Sequence, residues 1–182
     1  MYNQPLRLYG AGADSGTFDY FTEAIVGKAK AIRTDYQPTE DDNVTIKGVA
    51  GDTYAMGFLG YAYYEENKDK VKAVAIDHGK GCVLPSRETV LDGTYQPLSR
   101  PLFIYVNVKS LDRPEVQAFV DFYLSPAARR AIRSTGYVEL PSEAYRIGQE
   151  LVKRRKAGTF FMELPAGTPL SKFIQELDKE LR

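Results

Sequence analysis

Residues 6–26, LRLYGAGADSGTFDYFTEAIV, decide the fold of this chain. Side chains alternate between apolar and polar over residues 6–9, which predicts a short strand, and the glycines that follow predict a tight loop. Apolar residues then recur at helical spacing over residues 18–26, behind a polar cap at Asp14 or Ser15. This stretch therefore predicts a strand, a loop and a helix in that order.

The rest of the chain continues to alternate between strands and helices. Thr39, with an acidic residue three positions later, predicts the start of a second helix, because this is close to capping-box spacing. Residues 77–99 are rich in glycine, proline and polar side chains, which predicts a connection between two halves. Further strands are predicted over residues 55–61, 71–76 and 101–106, and further helices over 62–68, 114–124, 126–132, 142–153 and 168–181. This order predicts an α/β fold, with a parallel or mixed sheet flanked by helices.

Bulk composition excludes several classes of protein. Hydrophobic residues make up 43% and charged residues 26% of the 182 positions, as in ordinary globular domains rather than disordered chains. No stretch approaches the roughly 18 apolar residues that a transmembrane helix needs. The 24 basic and 24 acidic side chains cancel, so no overall field attracts nucleic acid. The single Cys82 cannot form an internal disulfide, and it leaves the compartment undecided.

The glycine-rich loop that opens the first helix has the chemistry of an anion site. First-turn N–H groups lack intrahelical partners, the helix dipole adds positive charge, and glycine lets an anion approach the backbone. The hydroxyls of Ser15 and Thr17 lie beside those donors in sequence. The alternative interpretation is a simple helix cap. A dinucleotide site is a weaker alternative, because the glycines are spaced one residue too long, and no lysine follows as in a P-loop.

Other polar residues give weaker signals. Arg33 could add a forked guanidinium to the same anion, or it could be a surface arginine paired with Asp35. His78 and Cys82 lie four residues apart, but two such residues in a glycine loop make neither a structural zinc site nor an oriented catalytic pair. The sequence therefore predicts no metal, no cofactor and no enzymatic activity.

Several blocks of sequence resemble a known family in the expected order. They are residues 8–23, 33–36, 40–43, 57–64 and 97–102. Together they resemble the phosphate-binding proteins, often called PstS, that serve phosphate ABC transporters in the periplasm. The resemblance implies a type II periplasmic-binding-protein lobe over residues 1–98, and the C-terminal part of the partner lobe over residues 99–182. It also implies that Asp14, Ser15, Gly16, Thr17 and Arg33 bind inorganic phosphate.

The resemblance implies partners and a location as well. The expected partners are the permease subunits of an ABC transporter, and the expected location is periplasmic or at the cell surface. Residues 1–5 show no secretory leader, so we expect either a cytosolic protein or a leader that has been removed. The resemblance favours a secretory leader that has been removed.

The chain departs from the family pattern in two places. Many relatives carry an arginine four residues before the motif serine, where this chain has Ala11. The first-lobe segment with which the family begins is also absent, so we expect a fragment that holds half a site and needs either that segment or self-association. Two rival hypotheses remain: a dinucleotide-binding enzyme domain, with Asp35 as the ribose acid, and a non-binding lobe kept for protein interaction.

Overall fold

The computed structural model describes residues 3–158 and 164–182, so the first two residues of the predicted lobe 1–98 lie outside the described residues. The chain divides into two compact units, Met1–Pro85 and Ser86–Arg182, which we call unit 1 and unit 2. The predicted division into lobes at residue 98 stays a prediction. Among the described residues, no helix is both long and apolar enough to cross a membrane.

Unit 1 is built on a small parallel sheet. Its elements are β1 (Arg7–Ala11), α1 (Gly16–Val26), β2 (Gln37–Thr39), α2 (Asp42–Ala50), β3 (Ala55–Phe58), α3 (Tyr61–Glu66), β4 (Ile76–Asp77) and β5 (Cys82–Val83). The sheet has the order β2-β1-β3, with both pairings parallel. Strands β4 and β5 form a separate antiparallel pair. The predicted α/β class is confirmed, and all three strands of the main sheet end at one edge.

Helices cover both faces of this sheet. On one face Phe58 of β3 stacks on Phe21 of α1, with ring centroids 4.1 Å apart. A Cβ on Gly10, opposite Phe58 in β1, would lie 2.2 Å from that ring, so glycine makes room for it. The neighbouring Gly57 faces Thr45 of α2 instead. Since successive strand residues point to opposite faces, α1 and α2 lie on opposite sides of the sheet.

The regular elements assigned among the described residues of unit 2 are helices. Its elements are α4 (Arg87–Leu91), a 3-10 helix (Val108–Asp112), α5 (Pro114–Tyr123), α6 (Pro126–Ser134), α7 (Ser142–Lys153) and α8 (Leu170–Lys179). Its core includes Val120 of α5 and Ile147 of α7, which are 1% and 0% exposed. The predicted helices over residues 114–124, 126–132, 142–153 and 168–181 are confirmed, with small shifts at their ends.

Several predicted elements are wrong. No strand is assigned in the described structure over residues 71–75, and only Ile76 of that prediction is in a strand. The predicted strand over residues 101–106 is likewise not assigned as one. Within α5, the large apolar residues Phe119 and Phe122 are 60% and 54% exposed, although apolar side chains at helical spacing are expected to face a core. Their helical spacing shows that they share a face of α5, but spacing does not show what covers that face.

Candidate functional site

The glycine-rich loop lies at the carboxyl edge of the parallel sheet. Strand β1 ends at Ala11 and β2 ends at Thr39. The Gly12 N–H donates to the Thr39 carbonyl oxygen at 3.0 Å, which extends the β1–β2 pairing by one bond. Ligands of open α/β sheets bind outside this edge, where loops lead from strands into helices. The fold therefore places residues 12–15 where such a sheet binds its ligand.

Ser15 caps helix α1 and keeps its own proton available. Its backbone is extended, and its Oγ accepts a hydrogen bond from the Thr17 N–H at 3.2 Å. The Ser15 N–H in turn donates to the Gly12 carbonyl oxygen at 3.1 Å, which closes the loop. Because the hydroxyl oxygen is the acceptor in the cap, its hydrogen can still be donated to an anion. The predicted polar cap is thus confirmed at Ser15. Its capping role does not prevent the hydroxyl group from donating to an anion.

The helix start is open to solvent. Asp14 and Gly16 are exposed, whereas Ser15 and Thr17 are half-buried. Neighbouring side chains therefore do not fully cover the first turn, and solvent can reach it. The structure brings four of the five predicted site residues, Asp14 to Thr17, into one turn of chain. Whether they bind phosphate stays a prediction.

Arg33, the fifth predicted residue, is engaged elsewhere. Its guanidinium Nε donates to Asp35 Oδ1 at 2.8 Å, and its Nη2 donates to Asp35 Oδ2 at 2.5 Å. Both side chains are exposed. This pairing raises the pKa of Arg33 and lowers the pKa of Asp35, in each case mainly through the side-chain hydrogen bond. The Arg33 guanidinium could bind an anion only if it released Asp35 or donated to Asp35 and the anion at the same time.

Glu40 is a loop neighbour that the sequence analysis did not place in the site. Its Oε1 lies 3.4 Å from the Asp14 backbone nitrogen and accepts a hydrogen bond from it. A Cβ on Gly12 would lie only 2.0 Å from the same oxygen, so this glycine makes room for the carboxylate. Glu40 directly follows β2, and the parallel register of β1 and β2 brings it to the loop after β1. The sequence analysis could not place Glu40 beside the loop, because it did not predict β2 and therefore did not predict its register with β1.

The edge around the loop is acidic. Asp41 caps α2 by accepting from the Asn43 N–H at 2.9 Å. Burial, followed by the charges of Asp41 and Glu40, raises the pKa of Asp42. Burial and then the Glu40 charge also raise the pKa of Tyr36, whose hydroxyl donates to the Ala11 carbonyl oxygen at 3.4 Å. An incoming anion is therefore attracted by backbone N–H groups and repelled by nearby carboxylates.

The His78 and Cys82 pair lies on the β4–β5 hairpin. Asp77 Oδ1 shapes the turn by accepting from the N–H groups of Gly79 and Gly81, at 2.8 and 3.0 Å. Both His78 and Cys82 are exposed. Within the part of the chain that the structure describes, no three His, Cys, Asp or Glu side chains are grouped as metal ligands.

Known proteins resemble this chain over most of its length. Protein SphX of Synechocystis is 51% identical over 176 residues, which are 93% of this chain and 52% of that protein. The phosphate-binding protein PstS of Staphylococcus haemolyticus is 35% identical over 146 residues, which are 79% of this chain and 45% of that protein. The chain therefore spans about half the length of these relatives.

A solved structure supports the same relationship. It is a possible phosphate binding protein from Planctomyces limnophilus, with 42% sequence identity and a TM-score of 0.70. The match covers 86% of this chain and 56% of that one. The predicted resemblance to PstS proteins and the periplasmic-binding-protein fold are thus confirmed. The model of the PBP superfamily domain matches residues 1–127, and the chain belongs to that superfamily.

Proposed function

We propose that this chain binds inorganic phosphate, without converting it, as part of the solute-binding component of a phosphate ABC importer. One observation carries the proposal: the start of α1 is open at the carboxyl edge of the sheet, with the Ser15 hydroxyl positioned at its first turn. A relative named as a phosphate-binding protein is 35% identical to this chain over 79% of its length. The location that follows is periplasmic or at the cell surface, and the partners are the importer's permease subunits.

The binding chemistry follows from the donors at this turn. The hydroxyls of Ser15 and Thr17 and the Gly16 N–H can each donate to a phosphate oxygen, whereas the N–H groups of Ser15 and Thr17 already donate within the loop and the cap. The helix dipole favours the negative charge. Asp14 orders the loop or accepts the proton of a protonated phosphate. Because phosphate carries such a proton near neutral pH and sulfate does not, a nearby carboxylate penalises sulfate more. Glu40 supplies a second carboxylate beside the same loop.

Two observations lead us to expect a low affinity for phosphate. The chain spans about half the length of its relatives, and the one arginine proposed for the anion is paired with Asp35. The acidic edge adds repulsion that the helix start must overcome. We therefore expect weak binding by the chain alone.

The structure disfavours a dinucleotide site. In such sites a glycine of the loop lets the pyrophosphate approach the backbone. Here the space beside Gly12 holds the Glu40 carboxylate, which would repel a pyrophosphate. Non-catalytic phosphate capture fits this loop better.

Calorimetric titration with phosphate tests the proposal. The test variant is the double substitution Ser15→Ala, Thr17→Ala, which removes both hydroxyls. The matched control is Ser125→Ala, because Ser125 caps α6 by accepting from the Ala128 N–H at 3.3 Å and so loses a cap without touching the loop. The proposal predicts binding by the parent and the control, and at least tenfold weaker binding by the double variant. Equal binding by all three would remove the site.

A further inference from the structure

Tyr36 contacts the chain at both ends of the loop formed by residues 12–15. Its hydroxyl donates to the carbonyl oxygen of Ala11, the last residue of β1, at 3.4 Å. Its ring stacks on that of Phe18 in the first turn of α1, with centroids 6.4 Å apart and planes inclined by 9°. One side chain therefore touches both the strand before the loop and the helix after it.

The peptide group that joins Ala11 to Gly12 is held at both of its polar atoms. Its carbonyl oxygen accepts from the Tyr36 hydroxyl, and its N–H donates to the Thr39 carbonyl oxygen at 3.0 Å. Because a peptide group is planar, these two bonds together fix the orientation of its plane. That plane sets the direction in which the chain leaves β1, and hence where the loop begins.

The two points that Tyr36 connects belong to the core of unit 1. Phe18 is 4% exposed and Ala11 is 5% exposed. Closely packed core residues have little room to shift, so contacts made to them keep fixed positions. Tyr36 therefore holds the first turn of α1, where Thr17 lies, in a fixed position relative to the end of β1.

The Tyr36 hydroxyl remains a donor near neutral pH. Burial, followed by the negative charge of Glu40, raises the pKa of Tyr36. A phenol keeps its proton well below its pKa, so the hydroxyl can donate to Ala11 across the neutral range.

We propose that Tyr36 is a positioning residue for the anion site. By fixing both ends of the loop, it places the hydroxyls of Ser15 and Thr17 before an anion arrives. Donors that are already in place lose less freedom on binding, which raises affinity without a new contact to the ligand. The inference rests on the proposed function, since it concerns the same helix start, and Tyr36 acts through the loop rather than by touching phosphate.

Phosphate affinity distinguishes this role from a merely structural one. A change that only destabilises the fold leaves the affinity of the folded molecules unaltered, whereas a change in the loop alters it. The hydroxyl makes one neutral hydrogen bond, and the loss of such a bond corresponds to a factor of about threefold or more. We therefore expect an effect of that size on binding when the hydroxyl alone is removed.

The test compares two tyrosine variants of the full 182-residue chain. Tyr36→Phe removes the hydroxyl and keeps the ring that stacks on Phe18. The matched control is Tyr145→Phe in unit 2, where the tyrosine hydroxyl accepts from the Leu140 N–H, also at 3.4 Å. Phosphate titrations followed by the backbone amide resonances of residues 15–17 give the affinities, and urea unfolding gives the stabilities.

Amide hydrogen exchange without phosphate supplies a second readout. The N–H groups of Gly12 and Ser15 make the hydrogen bonds that shape the loop, to the carbonyl oxygens of Thr39 and Gly12. Their exchange reports how firmly the loop is held. The buried Ile46 of α2 serves as the reference within unit 1.

The proposal predicts that Tyr36→Phe binds phosphate at least about threefold more weakly than the parent. Exchange at Gly12 and Ser15 should speed up by a similar factor while Ile46 is unchanged, and Tyr145→Phe should match the parent in both measurements. Equal affinity in the parent and Tyr36→Phe, unchanged exchange in the loop, or a Tyr36→Phe variant that does not fold would overturn this inference alone. A parent that binds no phosphate at residues 15–17 would overturn the proposed function and this inference together.

Discussion

Replacing Glu40 with glutamine should change the balance between phosphate and sulfate at the helix start. The Glu40 carboxylate lies 3.4 Å from the Asp14 nitrogen, beside the proposed anion position. Glutamine keeps an oxygen that can accept from the same N–H, so Glu40→Gln removes the charge and preserves the loop.

The size of the effect follows from the distances. An anion held by the first-turn donors lies about 3 Å from them, and hence roughly 4–6 Å from the Glu40 oxygens. Two unit charges about 4 Å apart interact by about 1 kcal/mol in bulk water, and by more near a protein surface. Because Glu40 is exposed, we use the bulk-water value of about 1 kcal/mol for its repulsion of each charge on the ligand. For sulfate, with two charges, this sums to about 2 kcal/mol, so we expect roughly thirtyfold tighter binding in Glu40→Gln.

Phosphate should respond less than sulfate. Its proton can be donated to the Glu40 carboxylate, and a hydrogen bond to a charged group contributes about 1.5–3 kcal/mol, which offsets the repulsion. We expect phosphate affinity to rise by less than about threefold or to fall, so the preference for phosphate over sulfate should shrink.

The assay is calorimetric titration with each ion at low ionic strength. The matched control is Glu23→Gln, which removes one charge from the same helix eight residues beyond Ser15. Eight helical residues span about 12 Å, which exceeds the Debye length of about 10 Å at 0.1 M salt. If Glu40→Gln and Glu23→Gln gave the same ratio of phosphate to sulfate affinity, the role assigned to Glu40 would be refuted.

Three further predictions concern the cap, the sheet and the arginine. Ser15→Ala should lower the free energy of unfolding by about 0.5–2 kcal/mol in urea, because it removes the cap of α1, whereas an unchanged midpoint would show that the cap contributes nothing. Gly10→Ala should cost about 1–3 kcal/mol by the same measurement, since its Cβ would lie 2.2 Å from the Phe58 ring, and a neutral result would contradict that packing. Asp35→Asn should tighten phosphate binding by releasing Arg33, while Arg33→Ala should weaken it, and calorimetry showing no change in either would remove Arg33 from the site.

Local signals were enough to predict the start of the site. A strand, a glycine loop and a capped helix are encoded within residues 6–26, and the structure has β1, the Ser15 cap and α1 there. Gly10 was expected in the loop, but it lies within β1 opposite Phe58. Its role is close packing rather than turning, which depends on a residue far away in sequence.

Non-local pairing explains most of what the sequence did not reveal. Strand β2 is short and contains Pro38, so it lacks a strand pattern, yet it lies at the edge of the sheet, where proline is tolerated. Because β2 was not predicted, the position of Glu40 could not be predicted either. Residues 71–75 and 101–106 show the opposite case, since an apolar pattern alone does not provide a partner strand.

The central claim is that the first turn of α1 holds the anion, and amide NMR tests it most directly. Titrating isotope-labelled protein with phosphate should shift the backbone amide resonances of Ser15, Gly16 and Thr17 first and furthest, with a common saturation curve. Resonances that move only elsewhere, or that do not saturate, would contradict the account.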